Sequence, residues 1–209
     1  MPGSQSSETS IANLALVRLG ADRLNDIETD TSELAGKVRA VFDFLRDETL
    51  RSHTWNFAID RRNFNQLTTT PLYGFGNEFQ VPGDVLRILA PSTNPDSSLQ
   101  GNYKIEGDKV LTDDTTFQAR CIIRVEDTTK WDAAFVEVFA ARLSAELAYS
   151  ITNNRALAAD LFNLYLSKLR AVKGYDAQED TPEQITADEW IDARSAGTFV
   201  PSFAPLPGP

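Results

Sequence analysis

The chain has 209 residues, 42% apolar and 24% charged, the balance of a folded globular protein with ample length for a core. Its formal net charge of −10 argues against a general nucleic-acid binder, because duplex affinity rests on cationic neutralisation of phosphates. No run of about 18 apolar residues is present, so no membrane span is expected. Residues Met1–Ser10 are small and polar without the apolar stretch of a signal peptide, which points to folding in a cytoplasm. Cys121 is the single cysteine, so an internal disulfide and a cysteine-based zinc cluster are excluded. Its setting, Cys121-Ile122-Ile123, reads as a buried, inert thiol.

The first predicted helix runs from Glu8 to Leu19, with Ser6 or Ser7 as cap, Ile11, Leu14, Ala15 and Leu19 at helical spacing, and Gly20 as a left-handed stop. A second opens at Asp30, with Glu33 completing a capping box, and fades near Ser52. Its buried stripe is Leu34, Val38, Val41, Phe42 and Leu45, leaving Arg39, Asp43, Arg46 and Asp47 on the other faces. Next comes His53-Thr54-Trp55-Asn56-Phe57-Ala58, two large rings within three residues and no nucleophile. Trp55 and Phe57 are the predicted structural core, where a helical layer locks onto the next part of the chain.

From Leu67 to Asp127 the chain is punctuated by Thr68-Thr69-Thr70-Pro71, Gly74-Phe75-Gly76, Pro82-Gly83, Pro91 and Pro95. Short apolar runs lie between: Phe79-Gln80-Val81, Val85 to Leu89, Tyr103-Lys104-Ile105, Val110-Leu111 and Ala119 to Val125. Gly107-Asp108 reads as a tight hairpin, and the whole as a small antiparallel module of about four to six strands. Helix resumes with Thr129 and Asp132, carrying Phe135, Val138, Phe139, Leu143, Leu147 and Ile151. Asn153-Asn154 breaks it and starts a fourth helix with Leu157, Leu161, Leu164, Tyr165, Leu169 and Val172, ended by Gly174. The short connection makes these two helices antiparallel neighbours.

The predicted fold class is therefore α+β: an antiparallel helical bundle with an inserted small antiparallel β module and an extended C-terminal tail. Residues 1–60 and 129–174 form the bundle halves, 61–128 the β module, and 175–209 an acidic, proline- and aromatic-rich partner-binding arm. Thr181-Pro182-Glu183 starts a short helix there, and Thr198–Pro209 is kept extended by its prolines. Trp190, Phe199, Val200 and Phe203 are the predicted partner-binding residues, because this segment has too little apolar surface to bury them itself. The arm is expected to become ordered on assembly.

No catalytic, cofactor-binding or metal site is expected. His53 is the sole histidine, placed where an imidazole interacts well with a helix C-terminus. Gly74-Phe75-Gly76 lacks the third glycine of a dinucleotide loop, since Phe79 stands in its place. Asp113-Asp114 and Glu126-Asp127 are adjacent acids, which point to opposite faces on a strand and form no glycosidase pair alone. Arg61-Arg62, with Arg51 nearby, is the only basic cluster, read first as a solvated or salt-bridged patch and alternatively as a contact for phosphates or an acidic partner surface.

Three stretches together carry a resemblance. Asn13-Leu14-Ala15-Leu16-Val17-Arg18-Leu19-Gly20-Ala21 looks like an opening helix with an Arg-Leu-Gly-Ala ending. Phe44-Leu45-Arg46-Asp47 leads to His53–Ala58, and Phe79-Gln80-Val81-Pro82-Gly83-Asp84-Val85-Leu86-Arg87 forms an aromatic-x-aliphatic-Pro-x-Asp turn. Trp131, Phe135, Leu147-Ala148 and Ile151-Thr152 come after them. On these residues, over roughly Ile11 to Gly174, the chain resembles the tail tubular protein A family, the head-to-tail adaptors of short-tailed bacteriophages. The resemblance implies a structural virion protein assembled in the host cytoplasm: a dodecameric ring between the portal protein and the tail nozzle protein, extending the channel through which DNA passes without specific binding. The rival expectation is a tail-associated glycan-binding or glycoside-hydrolysing protein whose distant carboxylates converge in three dimensions. A third is a host-encoded interaction module.

Overall fold

A computed structural model of the chain describes residues 7–91 and 103–179. Helix α1 is Glu8–Leu19; the Ser7 side chain accepts from Ser10 N, and Gly20 closes the helix at φ 67°, a left-handed conformation that suits a residue without Cβ. Helix α2, Glu33–Ser52, starts later than a cap at Asp30 would place it. Its cap is Ser32, whose hydroxyl accepts from Ala35 N, while Asp30 accepts from Ser32 N at 2.8 Å and turns the chain into that cap. Helix α3, Ala133–Thr152, is likewise capped by Asp132 and not by Thr129, which belongs to the single 3-10 turn before it. Asn153 breaks the chain at φ 52°, and the Asn154 side chain accepts from Ala156 N and Leu157 N to start α4, Arg155–Glu179. Gly174 does not end α4. It avoids positive φ, and one interior glycine costs only about 1 kcal/mol against Ala.

Six strands complete the described chain: β1 Ile59–Gln66, β2 Asn77–Gln80, β3 Val85–Pro91, β4 Tyr103–Glu106, β5 Lys109–Thr112 and β6 Phe117–Ile123. They form one antiparallel sheet in the order β3-β6-β1-β2-β5-β4. The hairpin at Gly107-Asp108 is present, with Glu106 opposite Lys109 and Gly107 at φ 62°, which the turn requires of its first central residue. Strand β1 divides its pairing. Ile59 to Phe64 bond to β6, and Asn65 and Gln66 bond to β2.

The sheet overturns the expectation of a helical bundle carrying a small β insertion: it is a well-formed, six-stranded antiparallel half-barrel. The reason is that both of its faces bury apolar residues. Phe117, Ala119 and Cys121 of β6 join Phe64, Phe79 and Val110 in a core of the sheet's own. Ile122 turns the other way into the helical core, where Leu86, Leu89 and Ile123 pack beside it. The sheet is thus a layer against the helices, with a second core that owes them nothing.

Among the helices α3 is central, packed by both α1 and α2 and burying eleven of its twenty residues, as a helix apolar on most sides must. Helix α4 returns antiparallel: Lys168 Nζ reaches Glu137 at 2.9 Å, and Arg142 sits over the Tyr165 and Phe162 rings. Arg46, expected on an outer face, is 5% exposed. Asp43 and Asp47 take its guanidinium at 2.8 and 3.0 Å, and Asp47 also takes Arg124 Nε at 2.7 Å, tying α2 to the end of β6. Burial here is allowed because the charge is paired.

The layers join at an aromatic cluster. Trp55, 2% exposed, packs edge-on against Phe135 at 4.9 Å, and so does Trp131 from the opposite chain crossing, also at 4.9 Å. Phe57 is only half-buried, 5.1 Å from Phe135. Trp55→Ala is therefore expected to cost about 3–5 kcal/mol and Phe57→Ala distinctly less, read by urea denaturation. An equal or larger loss for Phe57→Ala would contradict this ranking.

Glu137 generates a pH prediction. The hydrogen bond from Lys168, with Arg18 at 2.7 Å adding its charge, outweighs burial and holds this carboxyl below the usual glutamate range. A folded pKa below the unfolded one gives stability that is present above about 4.3 and lost as pH falls through the folded value. Glu137→Gln should therefore unfold at acid pH with a shallower loss below about pH 4.3 than the wild type. Parallel acid slopes in denaturant titrations would count against the pairing.

Candidate assembly surface

The side chains singled out in the sequence are mostly used by the fold. His53 takes the C-cap position of α2 in extended backbone, with its ring edge-on to Trp55 at 5.0 Å. Asp113 accepts from Gly76 N at 2.8 Å, clasping the turn after β5 to the loop before β2, and the Asp114 carbonyl accepts from the Asn77 amide at 2.9 Å. Asp127 caps the 3-10 turn Thr128–Lys130, and its bonds to Thr129 lower its pKa. Asp113 and Asp127 thus hold backbone N–H groups at a turn and a cap, and Glu126 is exposed beside Asp127.

The basic cluster splits, since neighbours on a strand face opposite ways. Arg62 points to the side of the second core and is saturated by Asp60 at 2.6 Å and Asp84 at 2.8 Å. Arg61 is exposed on the other side, directly opposite Arg120 of β6. Arg51 is exposed near the end of α2.

Gly74-Phe75-Gly76 belongs to the loop joining β1 to β2, with Gly74 at φ 90°. This loop walls a cleft of about 300 Å³. The floor is one face of β2, β5 and β4: Glu78 stands opposite Leu111, which stands opposite Lys104, and Lys109 stands opposite Glu106. Glu78 is buried and receives Lys109 Nζ and Thr69 Oγ1, each at 2.8 Å, which hold its carboxyl below the usual range. Pro71 and Phe75 line the rim, together with Leu72 and Tyr73, which are 97% and 85% exposed.

Leu72 and Tyr73 are the surface residues that sequence reasoning missed. Their signal was an apolar pair between turn formers, Pro71 and Gly74, with no periodic partner to bury it. Phe44 on α2, 73% exposed, is a third exposed ring or large apolar side chain. Trp190, Phe199, Val200 and Phe203, the predicted partner-binding residues, lie outside the described residues. Among the described residues no group of three His, Cys, Asp or Glu is placed to hold a metal ion, and no helix is long and apolar enough to cross a membrane.

Cys121 is buried in the second core, and burial pushes its thiol up to about 11. The thiolate is the reactive form, so native protein at about pH 8 should resist a disulfide reagent such as DTNB and react with one equivalent once unfolded in urea. Rapid reaction in the native state would show that the second core opens. The chain matches no protein-family model and no curated protein sequence.

Proposed function

We propose that the chain is a structural virion protein, a head-to-tail adaptor of a short-tailed bacteriophage, forming a ring between portal and tail nozzle and extending the DNA exit channel. The observation that carries this is the set of family-like stretches Asn13–Ala21, Phe44–Asp47 with His53–Ala58, and Phe79–Arg87. Each has framework work to do. Arg18 ties α1 to Glu137 of α3, Gly20 turns the chain out of α1, Trp55 sits in the joint between layers, and Asp84 anchors Arg62. A rigid two-layer body with exposed Leu72, Tyr73 and Phe44 supports a role in assembly more than one in turnover. The expected partners are the portal protein, the nozzle protein and other copies of the chain in a dodecamer.

The cleft beside Tyr73 favours the second reading, a tail-associated glycan-binding protein, because an aromatic rim over paired charged groups suits a sugar ring. Hydrolysis there is disfavoured: Lys109 holds Glu78 ionised, whereas a general acid needs a raised pKa. Co-sedimentation with portal particles tests the adaptor. The full chain is expected to bind, while a chain ended after Glu179, which keeps α4 whole, should retain its helix content and fail to dock. Docking by the shortened chain would remove the arm from the proposal. Absence of binding by the full chain, together with release of reducing sugar from envelope polysaccharide, would replace adaptor by hydrolase.

A further inference from the structure

Seven acids and one cation, Arg194, lie beyond Gly174, so six of the ten net negative charges belong to Tyr175–Pro209 and four to the rest. The polyanion in this system is the chain's own C-terminal segment.

On the sheet, Arg61 and Arg120 are direct partners across β1 and β6 and share a face. Like charges in that relation are destabilising unless something negative lies over them. Among the described residues neither guanidinium takes part in an ion pair, although Arg62 beside them has two. Arg120 is half-buried, and its Nε is buried without a hydrogen-bond partner. The next pair on the same face is Asn63 opposite Gln118, both exposed amides. The result is a patch rich in donors, on the face of the sheet away from its own core, beside the point where Ile122 of the same face enters the helical core.

We propose that this face receives the acidic segment Asp180–Asp192 of a second copy, whose carboxylates pair with Arg61 and Arg120. Guanidinium and carboxylate match in a bidentate fork, which the terminal nitrogens of the two arginines can offer. Linkage in an assembled ring raises the effective concentration of the segment enough to offset repulsion between acidic subunits, an advantage free polynucleotide lacks. The second copy rests on the adaptor reading; the pairing itself does not require a portal.

The test titrates a fluorescent peptide of residues 178–195 into the full chain at about 50 mM salt and reads anisotropy. Saturable binding is expected, several-fold weaker at about 300 mM salt and about tenfold weaker in the double variant Arg61→Gln, Arg120→Gln. Arg23→Gln, at an exposed position, should bind as the wild type does. The double variant should melt no lower than the wild type, because it relieves opposed charges; if it does melt lower, Arg61→Glu paired with a lysine-substituted peptide must restore binding. The proposal fails if the peptide does not bind the wild type, if it binds the double variant equally well, or if an oligonucleotide of equal charge binds better with the same arginine dependence. Loss of peptide binding with portal docking intact sinks the pairing alone, and loss of docking with peptide binding intact sinks the adaptor alone.

Discussion

A buried indole must hydrogen-bond its N–H, and the two layers of this protein are joined where two indoles do so in the same way. Trp55 Nε1 donates to the Thr49 carbonyl at 3.0 Å, and Trp131 Nε1 donates to the Val125 carbonyl at 2.9 Å. Each partner lies six residues upstream, so each tryptophan folds its own chain back on itself. Leaving such a donor unmade inside a core costs about 1–3 kcal/mol, enough to fix the local path. For Trp55 the acceptor is a carbonyl of the last turn of α2, beyond the reach of the helix's backbone ladder and shared with the Ser52 hydroxyl at 2.7 Å. That one bond sets the end of α2, the turn Asn56–Ala58 and the start of β1. Trp131 does the same for the exit from β6 and the start of α3, and Phe135 touches both rings.

With the crossings pinned, the sheet is free to serve two cores. Its curl encloses Phe64, Phe79 and Phe117, whose rings lie 5.1 and 6.1 Å apart around Phe117. The opposite face of β6 and the bulged strand β3 meet the helices. Bulges let β3 contribute Leu86 and Leu89 to one core and Ile88 to the other, which a strictly alternating strand would not do at that spacing. The sheet's charged residues are placed by the same geometry. Those on the side of the second core, such as Arg62 with Asp60 and Asp84, are matched, while Arg61 and Arg120, on the face that Ile122 turns to the helices, have no ion pair among the described residues.

That contrast bears on the adaptor proposal. A ring subunit needs a rigid body and surfaces that find partners only in the assembly. Two layers knitted by buried aromatics suit the first need. The second is met by features that are unfavourable in an isolated chain: the bare Leu72-Tyr73 tip, the exposed Phe44 and the opposed arginines.

Some of this was legible in the residues alone. Helical periodicity and the caps at Ser7, Gly20 and Asn154 place α1 and the α3–α4 break, because those signals act within a few residues. The Gly107-Asp108 hairpin is local in the same sense. The burial of Trp55 was legible from its ring size. Strand β1, Ile-Asp-Arg-Arg-Asn-Phe-Asn-Gln, was not legible: a single alternating ring, Phe64, is buried among polar residues, and only pairing with β6 on one side and β2 on the other makes it a strand. Nor was the burial of Arg46, which depends on an arginine 78 residues away sharing Asp47. The cleft under Tyr73 and the opposition of Arg61 to Arg120 likewise exist only once distant strands are in register. Sequence by itself determined what local backbone chemistry controls, namely helix stops, turns and which rings seek burial. Tertiary structure decided the sheet's size, its second core and its charged faces, because strand pairing and ion pairing join residues whose separation along the chain carries no local signal.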